Sequence, residues 1–374
     1  MRYGGPCAIR TAHSDEVGVK VSRTKLHRVR VQPLTKRTLC DSTCRKWNHA
    51  SWVCSVCLPN TLLEKHFAKL KSISSPGGGQ LGRMLANSAA LLNIDLVVLD
   101  IGDRAPAKQV FQSKAGHIDG AFSDPLKIQE LASKSDVLTV EIEHINVDAL
   151  EAAGVNGKIQ IHPSPSTLRT IQDKFLQKEH LDRHRIPVSE YCSVGSTEES
   201  LLAAGKRLGF PLMLKSRTMA YDGRGNLVVK DPSEARTAIN VFGGRPLYAE
   251  KWVPFVKEVA VMVVRSARGE VRSYPVVETV HKDNICHLVF APLRHPDPNV
   301  IRLAKEVAEK ATQTFEGAGV FGVEMFLLAD GARLALRDAS SHRIYLRFSS
   351  GERNSPSPAQ LWALYNRSLL NLTI

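Results

Sequence analysis

Gly77-Gly78-Gly79-Gln80-Leu81-Gly82-Arg83-Met84 opens the regularly patterned part of this 374-residue chain. Its glycines at 77, 79 and 82 have the spacing G-x-G-x-x-G, and Asp100 stands about twenty residues further on, as in a dinucleotide-binding turn. Such a turn also needs a strand directly before it. Lys71-Ser72-Ile73-Ser74-Ser75-Pro76 reads instead as a loop, because Ser and Pro punctuate chains more often than they build sheets. Downstream, a helical stretch runs from Arg83 to about Leu92, and Leu96–Leu99 has the continuous apolar pattern of a buried strand. A helix over Pro125–Lys134 and a strand over Val137–Ile142 follow. That β-α-β order with short connections predicts a parallel sheet covered by helices.

A second unit begins near Gln172, with helices through Asp182 and over Thr197–Leu208. Strands then dominate: Leu212–Lys215, Leu227–Val229, Leu247–Trp252, Glu258–Arg265, Val271–Val277 and His287–Ala291. A long helix, Asn299–Phe315, precedes the strand Gly322–Leu328. The expected organisation is an α/β domain over 77–170 and an α+β domain over 171–331. They are flanked by a basic, Cys-containing segment over 1–76, expected to be disordered, and an irregular tail over 332–374.

Charge separates the same parts. The net charge is +13, of which +10 lies in residues 1–76 and +4 in residues 332–374, leaving −1 for the middle. A nucleic-acid enzyme carries its basic stripe on the folded body, so that class is disfavoured. No window reaches the ~18 apolar residues of a membrane helix, and the charged first thirty residues lack a secretory h-region. With seven cysteines and no such signal, reduced thiols in the cytoplasm are expected. Cys40, Cys44, Cys54 and Cys57 are spaced C-x3-C-x9-C-x2-C, which could hold a structural zinc, although the connecting stretch is short.

Several polar residues sit where apolar ones belong. Lys174 and Lys215 are isolated cations beside apolar runs, each needing an anion or a path to water. Asp222-Gly223-Arg224-Gly225 is a flexible loop whose N–H groups could cover phosphates, or a plain surface hairpin. Glu258 and Glu324 begin or interrupt apolar strands, where a carboxylate requires a metal, a sugar hydroxyl or a structural arginine.

Together these residues resemble one family, the ATP-grasp N5-carboxyaminoimidazole ribonucleotide synthases. The likeness runs from Gly77 to about Gly331. It rests on Gly77–Met84, Glu141-Ile142-Glu143-His144, Gln172-Asp173-Lys174, Ala220–Gly225, Tyr248–Val253, Tyr274–Thr279 and Gly322-Val323-Glu324-Met325. It implies a Rossmann-like pre-ATP-grasp domain, then an ATP-grasp domain whose C-terminal part is incomplete here. It also implies ATP-dependent carboxylation of 5-aminoimidazole ribonucleotide in purine synthesis, with ATP and Mg²⁺ as cofactors. The partners are then small molecules, the ribonucleotide and bicarbonate, with no nucleic acid and no membrane; a homo-oligomer is allowed.

By resemblance, Lys174 and Lys215 hold the ATP phosphates, Glu250 and Val253 frame the adenine, and Glu258 takes the ribose hydroxyls. Tyr221, Asp222 and Arg224 face the reacting centre, and Glu324 ligates the metal. Gly79, Gln80, Leu81 and Glu143 bind the ribonucleotide. After the Glu324 strand the family continues Asn-Glu-Ile-Ala-Pro-Arg-Pro-His-Asn-Ser-Gly-His-Tyr, which Arg333–Arg353 does not match. Reading Arg353 to Leu369 one nucleotide forward, with permitted synonymous codons, recovers the segment from its Glu onward. The tail is therefore expected to be frameshifted and carboxyl transfer impaired. The competing readings are a catalytically inactive ATP-binding protein with a basic interaction tail, a zinc-stabilised nucleic-acid module at 1–76, and a nicotinamide dehydrogenase. The last would require a full strand before Gly77.

Overall fold

The computed structural model describes residues 72–341, apart from 142–143, 156–158, 219–224, 283–284 and 332. The cysteine motif, the loop residues Tyr221, Asp222 and Arg224, Glu143, and the tail beyond 341 lie outside the described residues.

The first sheet is built around the segment that reads as a loop. Ser72–Pro76 is strand β1, buried along its whole length. It pairs in parallel with β2 (Asp95–Asp100) on one side and β4 (Val137–Thr139) on the other. With β3 (Ile118–Asp119) and β5 (Gln160–His162) the order is β3-β2-β1-β4-β5. This corrects the expectation of a loop before Gly77. Serine is tolerated in a central strand because its hydroxyl can be satisfied locally: Ser72 Oγ donates to Lys134 O at 3.2 Å and Ser74 Oγ to Val137 O at 3.5 Å. Pro76 lacks an N–H but takes the last ladder position, where Gly77 N donates to Leu99 O instead.

Helix α1 (Gln80–Leu91) packs Leu85, Ala86 and Ala89 against one face of this sheet. Helices α2 (Pro125–Ser133) and α3 (Val147–Gly154) cover the other, around Val97, Leu99, Ile128, Leu131 and Leu150. Asp124 and Asn146 cap these two, accepting from Leu126 N and Ala149 N.

Beyond α4 (Pro165–Gln172) and α5 (Lys174–Arg183), two antiparallel sheets follow. The smaller has the order β6-β9-β7-β8: β6 (Tyr191–Val194), β7 (Leu212–Ser216), β8 (Asn226–Val229) and β9 (Leu247–Lys251). Helices α6 (Glu198–Leu208) and α7 (Ala235–Phe242) cover it. The larger has the order β13-β12-β10-β14-β15, with β11 (Val271–Ser273) added to β10. Its strands are β10 (Phe255–Arg265), β12 (Val277–Lys282), β13 (Ile285–Phe290), β14 (Gly319–Leu328) and β15 (Leu334–Ser341). Helix α8 (Pro298–Gln313) lays Val300, Ala304, Val307 and Ala311 on its core.

Strand β15 is a second correction, since nothing regular is expected from residue 332 to the apolar run near Leu361. Leu334 and Leu336 are buried and alternate with Ala335 and Arg337, a short period-two pattern that suffices once β14 offers an edge. The register slips once. Glu324 pairs with Asp338 and Met325 with Leu336, leaving Arg337 as the extra residue of a β-bulge.

Candidate active site

Two places gather polar groups. The first is a cleft, partly open to solvent, between the two antiparallel sheets. Met213 and Lys215 of β7, Asn226 of β8 and Glu250 of β9 form one wall; Phe255 and Glu258 of β10, Phe326 of β14 and Arg337 of β15 form the other. Trp252 and Val253 line the connection between β9 and β10. The rings of Phe255 and Phe326 stack at 4.5 Å, making a flat apolar surface suited to a planar group.

At the inner end lies a buried ionic cluster. Lys215 Nζ donates to Glu250 Oε1 at 2.9 Å, and Lys178 Nζ stands 3.4 Å from Glu250 Oε2. Ser189 Oγ donates to the same Oε2 at 2.9 Å. Lys178 Nζ in turn donates to Ser189 Oγ at 2.9 Å and to Leu336 O at 3.3 Å. Burial alone pushes the Glu250 carboxyl up, but the two ammonium charges and the hydrogen bonds outweigh it and hold it down at about 2. Two lysines and one carboxylate leave a net positive charge beside the cleft, the sign an anionic ligand requires. The Glu250 side chain thus sets the position of Lys215. Lys178 is 2% exposed and escapes a sequence reading altogether, because the α5 sequence has no apolar stripe that would mark an inward face.

On the opposite wall Glu258 Oε2 accepts from Arg337 Nη1 at 2.5 Å and lies 2.9 Å from His281 Nδ1. Burial raises this carboxyl, while His281 and Arg337 lower it further, so its net shift is downward. Glu324 Oε2 is 3.5 Å from the same Arg337 Nη1. Of the partners that a carboxylate in these strands requires, the structure supplies the arginine. Lys174 is the first residue of α5, its N–H donating to Arg217 O, next to the bidentate Arg217–Asp173 pair; it is not among the residues lining the cleft.

The second place is the crevice at the C-terminal ends of β1 and β4, where the strand order reverses and ligands of open α/β sheets bind. Gly77 has φ of 100°, and a Cβ on Gly82 would fall 2.6 Å from Gly77 O, so the turn tolerates little but glycine at both. Gly79 is the N-cap of α1, and Gln80 and Leu81 are its first residues. Glu141, two residues before the expected Glu143, reaches this turn and accepts from the N–H groups of Gly82 and Leu81. Burial, aided by the charge of Asp100, pushes its carboxyl up to about 7 despite those bonds. The repeated acid in Glu141-Ile142-Glu143 signals the site but not which acid enters it. The strand that a nicotinamide dehydrogenase needs before Gly77 is present. Asp100, however, accepts from Gly78 N at 2.6 Å and Ile101 N at 2.7 Å, so its carboxylate serves the turn itself rather than a ribose.

Residues 70–172 match the ribonucleotide synthetase preATP-grasp domain and residues 179–340 the ATP-grasp domain. N5-carboxyaminoimidazole ribonucleotide synthase of Brucella melitensis is 35% identical over 69% of this chain and 70% of its own length. The chain belongs to the ATP-grasp N5-carboxyaminoimidazole ribonucleotide synthase family. Phosphoribosylaminoimidazole carboxylase of Ogataea methanolica, another relative, is 58% identical over 68% of this chain and 47% of its own length. The chain spans about half the length of such fungal carboxylases. The Aspergillus clavatus carboxyaminoimidazole ribonucleotide synthase, solved with ATP, superposes with a TM-score of 0.73 at 44% identity, covering 81% of this chain and 78% of that one. A second structure of that synthase, with ADP and 5-aminoimidazole ribonucleotide, gives 0.72 at 42% identity, covering 81% and 77%. The α/β sheet followed by an ATP-grasp unit is the fold that the resemblance implies.

Members of the ATP-grasp family use Mg²⁺ generally. Arg337 stands against the carboxylates of both Glu258 and Glu324, and Asp338 pairs with Glu324 across the sheet. Among the described residues no group of three or more His, Cys, Asp or Glu is arranged to hold a metal. No described helix is long and apolar enough to cross a membrane.

Proposed function

We propose that this chain binds ATP in the cleft between the two antiparallel sheets, as a member of a family that carboxylates 5-aminoimidazole ribonucleotide in purine synthesis. The observation that carries the reading is the Lys178–Glu250–Lys215 cluster, a net cation at the inner end of an apolar slot. Adenine lies against Met213, Val253, Phe255 and Phe326, and the phosphates meet Lys215 and Lys174. Glu258 receives the ribose hydroxyls once Arg337 yields. The ribonucleotide occupies the crevice at Gly79, Gln80 and Leu81, with Glu141 beside it in addition to Glu143.

In the full reaction a bicarbonate oxygen attacks the γ-phosphorus and ADP leaves. The ribonucleotide amine then attacks the carboxyl carbon and phosphate leaves. By resemblance, Tyr221, Asp222 and Arg224 act at that centre, where excluding water protects the carboxyphosphate.

A second reading, an ATP-binding protein without carboxylase activity, is favoured by Arg337, which ties up both carboxylates of the outer wall. The shifted-frame reading of the tail favours the same impairment. The two readings share the binding test and divide at turnover. Replacing Lys215 by Ala removes a charge-assisted contact of roughly 1.5–3 kcal/mol, so ATP affinity falls by about tenfold or more. An unchanged dissociation constant in a folded K215A protein would sink the ATP site. Ribonucleotide-dependent release of ADP by the intact chain would select the carboxylase, and its absence the inactive binder.

A further inference from the structure

We propose that Lys178 is a positioning residue of the nucleotide cleft: without touching ATP, it holds the Glu250 carboxylate so that Lys215 is free to turn to the phosphates. The proposal rests on the ATP reading above and deepens it.

Lys215 stands in the cleft with its charge already engaged. Its ammonium donates to Glu250 Oε1 at 2.9 Å. A cation paired in this way presents an incoming phosphate with the field of a dipole rather than that of a full charge. To meet a phosphate squarely it must also loosen its bond to Glu250. That carboxylate is 3% exposed, so water does not replace the departing lysine, and a buried carboxylate left without a cation is costly.

Lys178 removes both obstacles. Its Nζ lies 3.4 Å from the other carboxylate oxygen, Glu250 Oε2, and donates to Ser189 Oγ at 2.9 Å and to Leu336 O at 3.3 Å. An ammonium has three donors, and these acceptors on β9, on the segment leading into β6 and on β15 hold it from three sides. Lys178 is fully enclosed and does not line the cleft, whereas the Lys215 side chain is 14% exposed and does. Burial opposes ionisation of Glu250. Among the groups that restore it Lys178 acts most strongly, although Lys215 stands nearer.

The two cations therefore divide the work. One is fixed behind the carboxylate and the other is poised at the cleft. When Lys215 turns away, Glu250 retains Lys178 and the hydrogen bond from Ser189. Without Lys178, the charges of Glu250 and Lys215 cancel and nothing positive is left over for the ligand.

The experiment measures the dissociation constants of Mg-ATP and of adenosine on the intact protein by calorimetry, in the wild type, K178M and K178M/E250Q. Adenosine has no phosphates, so comparing the two ligands isolates the phosphate contacts. K178M should bind ATP about tenfold or more weakly, with adenosine changed by less than about threefold. In K178M/E250Q the charge of Lys215 is no longer cancelled, and ATP should bind about fivefold or more tightly than to K178M. Unchanged ATP affinity in K178M, an equal loss of both ligands, or a double variant no better than K178M overturns the role of Lys178 while the ATP site stands. A folded wild type that binds no ATP overturns both. A crystal structure of the wild type with ATP decides the matter even where K178M does not fold. Lys215 on phosphate oxygens with Lys178 still on Glu250 supports the proposal; Lys178 on a phosphate, or Lys215 still held by Glu250 alone, overturns it.

Discussion

Glu250 shows how far a single buried group governs this cleft. Its carboxylate is 3% exposed and depends on Lys178 and Lys215 for its charge. Because its folded pKa of about 2 lies below the ordinary 4.5, its ionisation adds stability that is complete above pH 4.5 and is lost as pH falls toward 2. The stability gap between wild type and E250Q should therefore narrow over that range in urea denaturation; a constant gap would mean the pair contributes nothing. Glu141 has the opposite sign. With a folded pKa of about 7 against 4.5, its neutral form is favoured in the fold, and the advantage present below pH 4.5 is lost as pH rises through 7. Thermal midpoints of E141Q should gain on the wild type between pH 5 and 8. Neither acid announces itself in the sequence. Glu250 appears there by resemblance, framing the adenine, with nothing to show its pairing with two lysines, and Glu141 appears only within a motif whose chosen acid is Glu143, because the environments that shift them are made by strands far apart in the chain.

Elements with a sustained apolar period were legible. The β2 and β4 strands, β7, β8 and β9 of the small sheet, helix α8 and β14 all fall close to where Val-, Leu- and Ile-rich runs predict them. The short strands β3, β5 and β6 escaped, as did two longer ones with other reasons to form. Strand β1 is serine-rich and is held by ladders on both sides; its hydroxyls bond to nearby carbonyls. Strand β15 has only two leucines, but both enter a core already built by β10, β14 and α8. Truncating Leu336 to Ala should cost about 2–4 kcal/mol in chemical denaturation, the range for a buried leucine. A loss near zero would return residues 334–341 to the irregular tail that the sequence alone suggests. Arg337 could not be foreseen for a related reason: a bulge is set by pairing with β14, and no local pattern encodes it.

Across the whole described molecule the parallel sheet and the large antiparallel sheet share one cluster. Ile73 and Leu96 of the first, with Leu85 of α1, cluster with Val264 and Val320 of the second and with Ala318 just before β14. Burying a common set of side chains couples their unfolding, so tryptophan fluorescence and far-ultraviolet circular dichroism should give coincident denaturant transitions. Two separated transitions would show that the shared cluster does not bind the sheets together. The small sheet is attached differently. Lys178 bonds to Ser189 and to Leu336 O while standing against Glu250, so one ammonium joins the inner edge of the small sheet to the outermost strand of the large one. The cleft therefore behaves like a book with a pinned spine. Sliding one wall past the other would strain the pin, whereas turning about it would not, and any such turn would carry β8, the strand farthest from β6 across the small sheet, through the widest arc.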